Sequence, residues 1–389
     1  METRVAVIGA GPAGLAVANV LLHRGIGCVL LEAESREFIE QRPRAGFVEE
    51  WAVRGLEARG LADKLLAVAP RHSTFEFRFE GTRHPFDYTE LSGQHHFVYP
   101  QQILVTDLLA QYLDGGGEAV FGVRDVALDG IESERPVVTY RDAAGLHELG
   151  CDFVAGCDGA QGVTRKYVGG RTFRHDYGIG WLALLAEAPP SADGVLFGIH
   201  PRGFAAHMAR TPAVTRFYLQ VPPGDDVDNW SHERVWHELH ARLGVPGGAI
   251  TEGPLVEKRV LDMHNYVTEP MSRGRLYLAG ESAHLVAPIA AKGLNLALND
   301  AFLLTAAIEA HYGGDGEPLA AYSATCLKRV WQYQEFSQWL SDIFHSSTLD
   351  PPSDPFRARL AQARLRRLLH SRPAATAFAE IYIGKAADF

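Results

Sequence analysis

The stretch Arg4-Val5-Ala6-Val7-Ile8-Gly9-Ala10-Gly11-Pro12-Ala13-Gly14 sets the architecture of the first part of this chain. A short apolar run, typical of a buried strand, leads into glycines spaced as Gly-x-Gly-x-x-Gly, and an apolar-faced helix from Pro12 to about His23 follows. A second buried strand covers Cys28 to Leu31 and ends at Glu32. The order strand, helix, strand predicts a doubly wound α/β domain with a parallel sheet.

Each glycine of this motif has a physical task in binding a dinucleotide. Gly9 makes the tight turn, Gly11 lets the backbone approach a pyrophosphate, and Gly14 lets the helix pack closely on the strand. The helix N-terminus offers free N–H groups to the phosphates, and Glu32 can accept hydrogen bonds from a ribose. The pattern predicts a dinucleotide site, with a ligand-free glycine turn as the alternative. Alone it does not separate NAD from FAD.

Composition narrows the class of protein and its partners. The chain has 389 residues, 47% of them hydrophobic, which suggests two domains or one domain with an insertion. The formal net charge of −10 does not suit a protein that binds nucleic acid. The N-terminus lacks the pattern of a secretory signal, and no apolar run of ~20 residues predicts a membrane span. We therefore expect neither a nucleic-acid partner nor a membrane.

The cysteines point to the compartment. Their spacing matches neither a zinc site nor a disulfide framework, so we expect buried thiols, no metal site, and a reducing, cytoplasmic location. The cysteines are Cys28, Cys151, Cys157 and Cys326.

The periodicity of the sequence changes twice along the chain. Alternating apolar and polar residues between about 73 and 98, and again between about 180 and 265, are typical of half-exposed antiparallel strands. We therefore predict a substrate-binding sheet domain from residues 73–97 and 181–265. Residues 1–72, 98–180 and 266–389 are predicted to form the dinucleotide domain, followed by helices and an irregular tail that contains Tyr382.

Two further segments each place an acid in the turn after a buried strand. They are Cys157-Asp158-Gly159-Ala160 and Leu276-Tyr277-Leu278-Ala279-Gly280-Glu281-Ser282-Ala283-His284. With the glycine motif, these segments make the chain resemble the class A flavoprotein aromatic monooxygenases, and within them the 4-hydroxybenzoate 3-monooxygenase group. The resemblance runs from residue 4 to about residue 384.

The resemblance implies both a fold and a reaction. The fold would be a glutathione-reductase-like FAD domain with an inserted mixed-sheet substrate domain and a helical C-terminal region. The reaction would be NAD(P)H-driven ring hydroxylation of a 4-hydroxybenzoate-like carboxylate, by way of a flavin C4a-hydroperoxide formed with dioxygen. FAD would be bound, the nicotinamide would be a co-substrate, and the chain would form a homodimer.

The same resemblance assigns residues to the cofactor. Arg44 would lie at the FAD pyrophosphate, Asp158 would touch FAD and the nicotinamide cofactor, and Glu281 would hold the ribityl chain, although the family's usual residue there is the shorter aspartate. The full predicted set is Gly9, Gly11, Gly14, Glu32, Arg42, Arg44, Gln101, Asp158, Arg216, Glu281, Pro288, Leu294 and Asn295. His284, which follows the second acidic turn, is predicted to be structural.

A smaller set is carried over to the substrate and the chemistry. Arg210 matches the arginine that pairs with the substrate carboxylate, and a planar guanidinium can bind both carboxylate oxygens. Tyr218 would assist Arg210 in binding the carboxylate. Tyr382 and His72 resemble two ends of the family's proton relay, and Pro288 would lie beside the flavin pyrimidine.

Several positions depart from the family pattern in ways that concern the substrate. Phe197 stands where the family has a tyrosine that hydrogen-bonds the substrate phenol and helps to remove its proton. Met208 replaces a serine near the carboxylate, and Ile289 and Ala290 replace a Thr-Gly pair near the flavin. One explanation is a phenol substrate whose deprotonation Tyr382 or His207 supports. The other is an aromatic amine such as 4-aminobenzoate, which needs no deprotonation.

The segment after Glu32 bears on the nicotinamide cofactor. By family resemblance this segment reads the 2′-phosphate of NADPH, and here it carries Glu34 and Glu37, which would repel that phosphate. Gln161 and His264 likewise replace basic or ionisable family residues. We predict NADH as the co-substrate, with NADPH as the alternative.

Two other classes of protein remain to be separated from a hydroxylase. A dehydrogenase that binds NAD alone would be colourless and would leave the two acidic turns unexplained. A flavin oxidase would be yellow, and its oxidation of NADH would yield hydrogen peroxide and no hydroxylated product.

Overall fold

The computed structural model describes residues 1–42, 46–346 and 354–385. The predicted opening is confirmed: β1 spans Val5–Ile8, α1 spans Pro12–His23 and β2 spans Cys28–Glu32. β1 pairs with β2 in parallel, and all nine residues of the two strands are buried. The turn between β1 and α1 therefore lies at the carboxyl edge of a buried parallel sheet, where such folds bind their ligands.

This sheet has six strands, and its pairings are parallel except for that of its edge strand β18. The strand order is β18 (Ser272–Arg273), β19 (Leu276–Leu278), β12 (Phe153–Gly156), β1, β2 and β8 (Glu118–Phe121). The two acidic turns of the sequence follow β12 and β19. The glycine motif and both acidic turns therefore meet at one edge of the sheet, as the predicted FAD domain requires.

A second, larger sheet has eight mostly antiparallel strands. Its order is β20 (His284–Leu285), β17 (Leu255–Glu269), β13 (Arg171–Ala186), β16 (Val214–Val221), β15 (Ala205–Thr211), β14 (Val195–Ile199), β5 (Thr74–Phe79) and β6 (Thr82–Asp87). Seven of these strands lie wholly or partly in the two segments in which the sequence alternates, and β20 lies outside both. β13 begins before residue 181 and β17 ends after residue 265, and the division into two domains stays a prediction.

Two three-stranded sheets complete the β structure of the described residues. One has the order β11 (Gly145–Gly150), β10 (Val137–Asp142), β9 (Arg124–Asp129), and the other β3 (Phe47–Glu49), β7 (His96–Val98), β4 (Arg71–His72). The second small sheet sets His72 directly opposite His96.

The helices of the described residues cover the sheets and form the C-terminal region. They are α2 (Arg36–Gln41), α3 (Glu50–Glu57), α4 (Asp63–Val68), α5 (Tyr88–Ser92), α6 (Gln101–Asp114), α7 (Arg165–Val168), α8 (His232–Leu243), α9 (Gly293–Tyr312), α10 (Glu317–Ser346), α11 (Pro355–His370) and α12 (Arg372–Tyr382).

The two faces of the eight-stranded sheet are buried by different elements. One face packs against α8 through residues such as Phe217 and Trp236. The other face packs against α10, α11 and α12, and we call this cluster the aromatic core. Its main members are Phe75, Phe77, Phe86, Phe197, Phe204, Phe336, Phe344, Phe378 and Tyr382.

The structure corrects two expectations about local structure. β5 is not half-exposed, because its five residues after Thr74 are buried. The charged side chains of β5 lie on the face opposite the aromatic core, where Arg78 pairs with Glu76 at 2.8 Å. The alternation before residue 98 is also interrupted by α5, which Asp87 caps by accepting a hydrogen bond from the backbone of Glu90. Paired charges and a helix cap thus replace the exposed strand face that alternation suggested.

Tyr382 does not lie in an irregular tail, since it is the last residue of α12. The helix buries Ala375, Phe378, Ala379 and Tyr382, a spacing of three and four residues that forms one apolar stripe. The helix therefore fixes the direction of the Tyr382 ring.

The remaining sequence expectations concern thiols and membranes. All four cysteines are free and buried, and burial raises the pKa of Cys28 to about 11. Among the described residues, no helix has the length and apolar character needed to cross a bilayer.

The glycine turn gives a prediction about stability. A methyl group added at Gly14 would lie 1.9 Å from the carbonyl oxygen of Gly9, whereas one added at Gly11 would meet no atom of a described residue within 4 Å. We expect Gly14→Ala to lower the free energy of unfolding by about 1–3 kcal/mol or more. Gly11→Ala is the control and should cost less than about 1 kcal/mol. Urea unfolding of both variants measures the difference, and equal losses would contradict the predicted packing.

Candidate active site

The glycine turn has the shape of a pyrophosphate cradle. Gly9 has a φ of 104°, which favours glycine, and α1 begins at Pro12 without a side-chain cap. No atom of a described residue lies within 4 Å of the position that a side chain at Gly11 would occupy. An open position next to uncapped N–H groups fits a phosphate group. The residues present therefore fit the diphosphate of a dinucleotide.

Glu32 lies at the adjacent strand end and is nearly buried. One of its carboxylate oxygens accepts a hydrogen bond from the backbone of Ala10 at 2.6 Å, and the other accepts one from Glu34 at 2.8 Å. These bonds fix the carboxylate against the glycine turn. Contact between Glu32 and a ribose remains a prediction.

The first acidic turn is held by its own aspartate. Asp158 accepts hydrogen bonds from the backbone N–H groups of Val163 and Thr164 at 2.6 and 2.9 Å and from the Thr164 hydroxyl. The carboxylate thus shapes the loop that follows β12. Its predicted contact with FAD or the nicotinamide is not tested by this arrangement.

The second acidic turn rests on a buried pair, His284 and Asp300, which lie 2.6 Å apart. Asp300 also accepts a hydrogen bond from the backbone of Gly280 at 2.9 Å, so the pair fixes the turn that carries Glu281. This arrangement agrees with the structural role predicted for His284. The ribityl contact of Glu281 stays a prediction.

The loop from Pro288 to Asn295 joins the cofactor end to the aromatic core. Pro288 is exposed, whereas Ile289 and Ala290 are buried in the aromatic core. Asn295 accepts a hydrogen bond from the backbone of Glu49 at 2.9 Å and donates one to Phe47 at 3.2 Å. The beginning of α9 is therefore tied to β3, which fixes the helix N-terminus next to the loop.

A fully buried ion pair supports this junction. Lys292 bonds to Glu49, and neither side chain is exposed. Lys292 also donates to the backbone carbonyl of Tyr382, and Tyr333 donates to Glu49 at 2.5 Å. The pKa of Lys292 lies below its ordinary value because burial disfavours the ammonium, while Glu49 opposes that shift. One pair thus links β3, α9 and the end of α12.

The substrate residues predicted from the sequence lie on one face of the eight-stranded sheet. Across neighbouring strands, Phe77, Phe197, Ala206 and Tyr218 are directly opposite one another in a row. Met208 is two residues further along β15, opposite Arg216 on β16. Phe197, Met208 and Tyr218 all contact the aromatic core, which also contains Ile289. The structure therefore brings these predicted residues to one side of the sheet.

Arg210 lies where β15 and β16 shift register, between Ala209 and Thr211. Such a bulge re-aims a side chain, and here the guanidinium reaches the hydroxyl of Tyr218. The pKa of Arg210 lies below its ordinary value, chiefly because burial disfavours the cation. Arg210 is half-buried and keeps its proton, so an anion beside it would be stabilised.

The neighbouring acid does not supply that anion. Glu257 lies 3.1 Å from Arg216 and pairs with it. Of the ion pairs that the described residues form within 4.0 Å, none includes Arg210. Arg210, Arg216 and Glu257 together carry one net positive charge, on a sheet face whose other predicted substrate residues contact the aromatic core. A carboxylate ligand would balance this charge.

Phe197 stands among rings at the other end. Its ring centroid lies 4.8 Å from Phe344, 5.3 Å from Phe75 and 6.1 Å from Phe77. It offers no hydrogen bond to a ring substituent of a substrate, so this wall of the pocket is apolar.

His207 cannot serve the deprotonation suggested for it. It lies on the opposite face of the sheet, against Phe217, and accepts a hydrogen bond from the backbone of Ser191 at 2.9 Å. The side chains of a strand alternate between faces, so His207 points away while Met208 points into the aromatic core. Of the two candidates for deprotonation, Tyr382 alone lies on the substrate side.

Tyr382 and His72 are brought to one cluster, together with two residues that the sequence analysis missed. The Tyr382 ring lies 5.1 Å from Tyr88 and 5.2 Å from His96, and Tyr88 bonds to His72. No motif marks Tyr88 or His96. β4 pairs with β7 and sets His72 opposite His96, so a prediction of this pairing from the sequence would have identified His96.

Trp181 and His345 were also missed. Trp181 donates a hydrogen bond to His345 at 2.8 Å, and its ring lies 5.0 Å from Tyr218. Burial lowers the pKa of His345 to about 3, so this histidine is neutral and accepts the bond. The pair anchors the wall beside Tyr218.

The other predicted cofactor residues are placed as follows. Gln101 begins α6, Leu294 lies in the first turn of α9, and Arg42 follows α2, 5.7 Å from the Phe38 ring. Arg44 lies outside the described residues. Cofactor contacts of these residues remain predictions.

Comparisons with known proteins agree with this geometry. The family model described as "FAD binding domain" matches residues 2–337. The chain is 37% identical over 390 residues to p-hydroxybenzoate hydroxylase of Acinetobacter baylyi, covering 99% of this chain and 96% of that protein. It is 27% identical to 3-amino-4-hydroxybenzoate 2-monooxygenase of Streptomyces cremeus, covering 88% of each.

Among solved structures, p-nitrophenol 4-monooxygenase of Pseudomonas putida superposes with a TM-score of 0.84 at 20% identity, over 99% of this chain and 98% of that one. This likeness shows the shared fold. The glycine cradle, the acidic turns and the aromatic sheet face define a flavin-dependent hydroxylase of aromatic rings. The chain belongs to the FAD-binding aromatic monooxygenase family.

The buried pair gives a prediction. Removing one partner leaves an uncompensated charge, so Lys292→Met and Glu49→Gln should each lower the free energy of unfolding by about 3–5 kcal/mol. The double variant should lose less than the sum of the two, because neither charge remains. Urea unfolding of the three variants measures this coupling, and additive losses would show that the two groups act independently.

Proposed function

We propose that the chain hydroxylates the ring of a small aromatic carboxylate, with 4-hydroxybenzoate or a close phenol as substrate. The observation that carries this proposal is the half-buried guanidinium of Arg210, which forms no ion pair within 4.0 Å with a described residue. The 37% identical relative is named for the same substrate. The opposed apolar wall at Phe197 would hold the far end of the ring.

The dimensions of the sheet suit one benzene ring. Phe197 lies opposite Ala206, and Arg210 lies four residues further along β15. At ~3.3 Å per residue this separation is about 13 Å between backbones, which leaves room for one ring between the two side chains. Arg210 and Tyr218 would orient the carboxylate, and the aromatic core would exclude water from the ring.

FAD, when bound, supplies the redox chemistry: it is reduced by the nicotinamide cofactor and activates dioxygen, so that an oxygen atom can be transferred to the ring. The protein contributes the cradle at Gly11, the loop at Pro288 and the positive N-terminus of α9. A helix N-terminus at this loop would stabilise negative charge. The dry pocket would protect the reacting groups from water.

A second candidate is an aromatic amine, and Phe197 is the observation that favours it. The Phe197 wall has no hydroxyl to receive a phenolic proton, and a 4-aminobenzoate donates electrons to its ring without losing one. The Streptomyces relative is named for a ring that carries both amino and hydroxyl groups. Arg210 would bind the carboxylate of either substrate, so the two candidates differ at the Phe197 end alone.

The substrate can be tested by coupling. The purified holoenzyme is given NADH with either 4-hydroxybenzoate or 4-aminobenzoate, and hydroxylated product is compared with hydrogen peroxide. We expect product to match the NADH consumed with 4-hydroxybenzoate, and Phe197→Tyr to bind that phenol more tightly by about 0.5–1.5 kcal/mol. Product from the amine alone would favour the second candidate. Peroxide alone from both rings would contradict both.

The nicotinamide preference is a separate prediction. Glu37 lies in the first turn of the short helix α2, and Glu34 lies just before that helix. Both acids would face the 2′-phosphate that distinguishes NADPH from NADH. We expect a lower Michaelis constant for NADH than for NADPH, and a smaller difference in the double variant Glu34→Gln/Glu37→Gln. A lower constant for NADPH in the unaltered protein would contradict the prediction. The exposed pair Arg54 and Glu57 supplies a control: Glu57→Gln should leave the preference unchanged.

A further inference from the structure

The segment that leads into the loop before α9 is held by buried polar side chains. The backbone N–H group of Ala287 donates a hydrogen bond to the side-chain oxygen of Asn265 at 2.7 Å. Two residues earlier, the backbone carbonyl of Leu285 accepts a hydrogen bond from the side-chain amide of Gln334 at 3.0 Å. Both amide side chains belong to buried residues. We call residues 287–291 the flavin loop, because family resemblance places this stretch beside the flavin pyrimidine.

Asn265 is itself held by a second polar contact. Its side-chain nitrogen donates to the hydroxyl of Tyr177 at 2.9 Å, and that hydroxyl lies 3.1 Å from the hydroxyl of Ser337 on α10. Burial raises the pKa of Tyr177, so the hydroxyl keeps its proton near pH 7 and can donate it to Ser337. Both polar atoms of the Asn265 amide are therefore in use, which fixes its oxygen toward Ala287.

Asn265 is a polar residue on an apolar face of the eight-stranded sheet. It lies on β17 two residues after Met263, so the two side chains point to the same side of the strand. Met263 belongs to the aromatic core, and Tyr177 packs against that core. An apolar residue at position 265 would cost less free energy to bury than an amide. The asparagine therefore connects the aromatic core to the beginning of the flavin loop through a hydrogen bond that an apolar side chain cannot make.

The other end of the flavin loop is anchored by a second asparagine. Asn295 in α9 donates to the backbone carbonyl of Ala291 at 3.1 Å and is tied to β3 through Glu49 and Phe47. Ala291 has a φ of 54°, in the left-handed region that residues other than glycine rarely adopt. Such a conformation persists where the surrounding structure enforces it. An anchor at each end thus holds the loop in a shape that it would not keep alone.

The position of the flavin loop bears on the charge that a bound flavin can carry. α9 begins at Gly293, two residues after the loop ends, and its N-terminus has no side-chain cap. Uncapped N–H groups and the positive end of the helix dipole stabilise a negative charge near them. Because flavin gains negative charge when it is reduced, these groups favour reduced flavin while the loop holds its position.

We propose that Asn265 is a positioning residue for the flavin, which fixes the beginning of the flavin loop and thereby raises the reduction potential of bound FAD. The inference rests on the part of the proposed function that places this loop beside the flavin, and it holds for a phenol or an amine substrate. Without the Asn265 oxygen, the N–H group of Ala287 loses its partner and Ala291 can return to a negative φ. The loop then moves, and the reduced flavin loses more stabilisation than the oxidised flavin.

The test measures the two-electron reduction potential of the flavin in the holoenzyme without substrate. Asn265→Leu removes the amide and keeps a side chain of similar size. Tyr177→Phe removes the hydroxyl that directs the amide and leaves the asparagine in place. Asn19→Leu is the matched control, because Asn19 is a fully buried asparagine of α1 that donates to the backbone carbonyls of Leu15 and Leu108, at 2.8 Å each. Each protein is titrated anaerobically against a redox dye while the flavin absorbance is recorded.

We expect Asn265→Leu to weaken the binding of reduced FAD relative to oxidised FAD about tenfold, within the range for a charge at a helix N-terminus. For a two-electron couple this change lowers the potential by about 30 mV. Tyr177→Phe should lower the potential by a smaller amount. Asn19→Leu should lose stability in urea unfolding and keep the potential of the unaltered protein, since a general loss of stability does not favour one redox state of the flavin.

Other outcomes would overturn the inference. An unchanged or raised potential in Asn265→Leu and Tyr177→Phe would show that the amide serves the fold alone. An equal shift in Asn19→Leu would show that any buried asparagine of the protein has the same effect. If Asn265→Leu does not fold, the result for Tyr177→Phe decides.

A direct change in the flavin loop separates the inference from the placement on which it rests. If Pro288→Gly shifts the potential and Asn265→Leu does not, the loop lies beside the flavin and Asn265 does not control it. If neither variant shifts the potential, the loop does not lie beside the flavin and the inference fails with that placement. Because no substrate is present, a failure to hydroxylate either ring leaves this measurement unaffected.

Discussion

The cost of burying a charge governs how this molecule is assembled and what it can bind. Lys292 is fully buried and is compensated by Glu49, and the pair joins an early strand, the helix beside the cofactor loop and the end of the last described helix. Arg210 is half-buried on the sheet face and forms no such ion pair with a described residue. The same constraint therefore stabilises the fold at one position and, under the proposed function, would favour an anionic ligand at the other.

The two sheets divide the chemistry between them. The parallel sheet gathers the glycine turn and the two acidic turns at one edge, where Gly11 leaves an open approach for phosphate. The eight-stranded sheet provides a face rich in aromatic side chains, with Arg210 and Arg216 at one end. The loop at Ile289 and Ala290 packs into that surface, so the cofactor end and the substrate end share one core. Under the proposed function, this arrangement would position a substrate ring next to the cofactor, with no polar group on Phe197 to contact it.

Local sequence patterns predicted the first βαβ unit to within one residue, because β1, α1 and β2 depend on short-range periodicity and turn chemistry. Family resemblance brought Phe197, Met208 and Tyr218 to one face. Interactions between distant segments were harder to predict. The helical state of Tyr382 depends on a stripe that packs against other helices, and the rejection of His207 depends on strand register. His72 and His96 meet through a sheet pairing that no local pattern reveals.

The most direct test of the account is whether Arg210 selects a carboxylate. The flavin absorbance of the holoenzyme is titrated with 4-hydroxybenzoate and with its uncharged amide, in the unaltered protein and in Arg210→Gln. The account predicts that the unaltered protein prefers the carboxylate by about 2–5 kcal/mol, the range for a buried charge pair, and that Arg210→Gln loses this preference. Equal affinity of the unaltered protein for the acid and the amide would contradict the account.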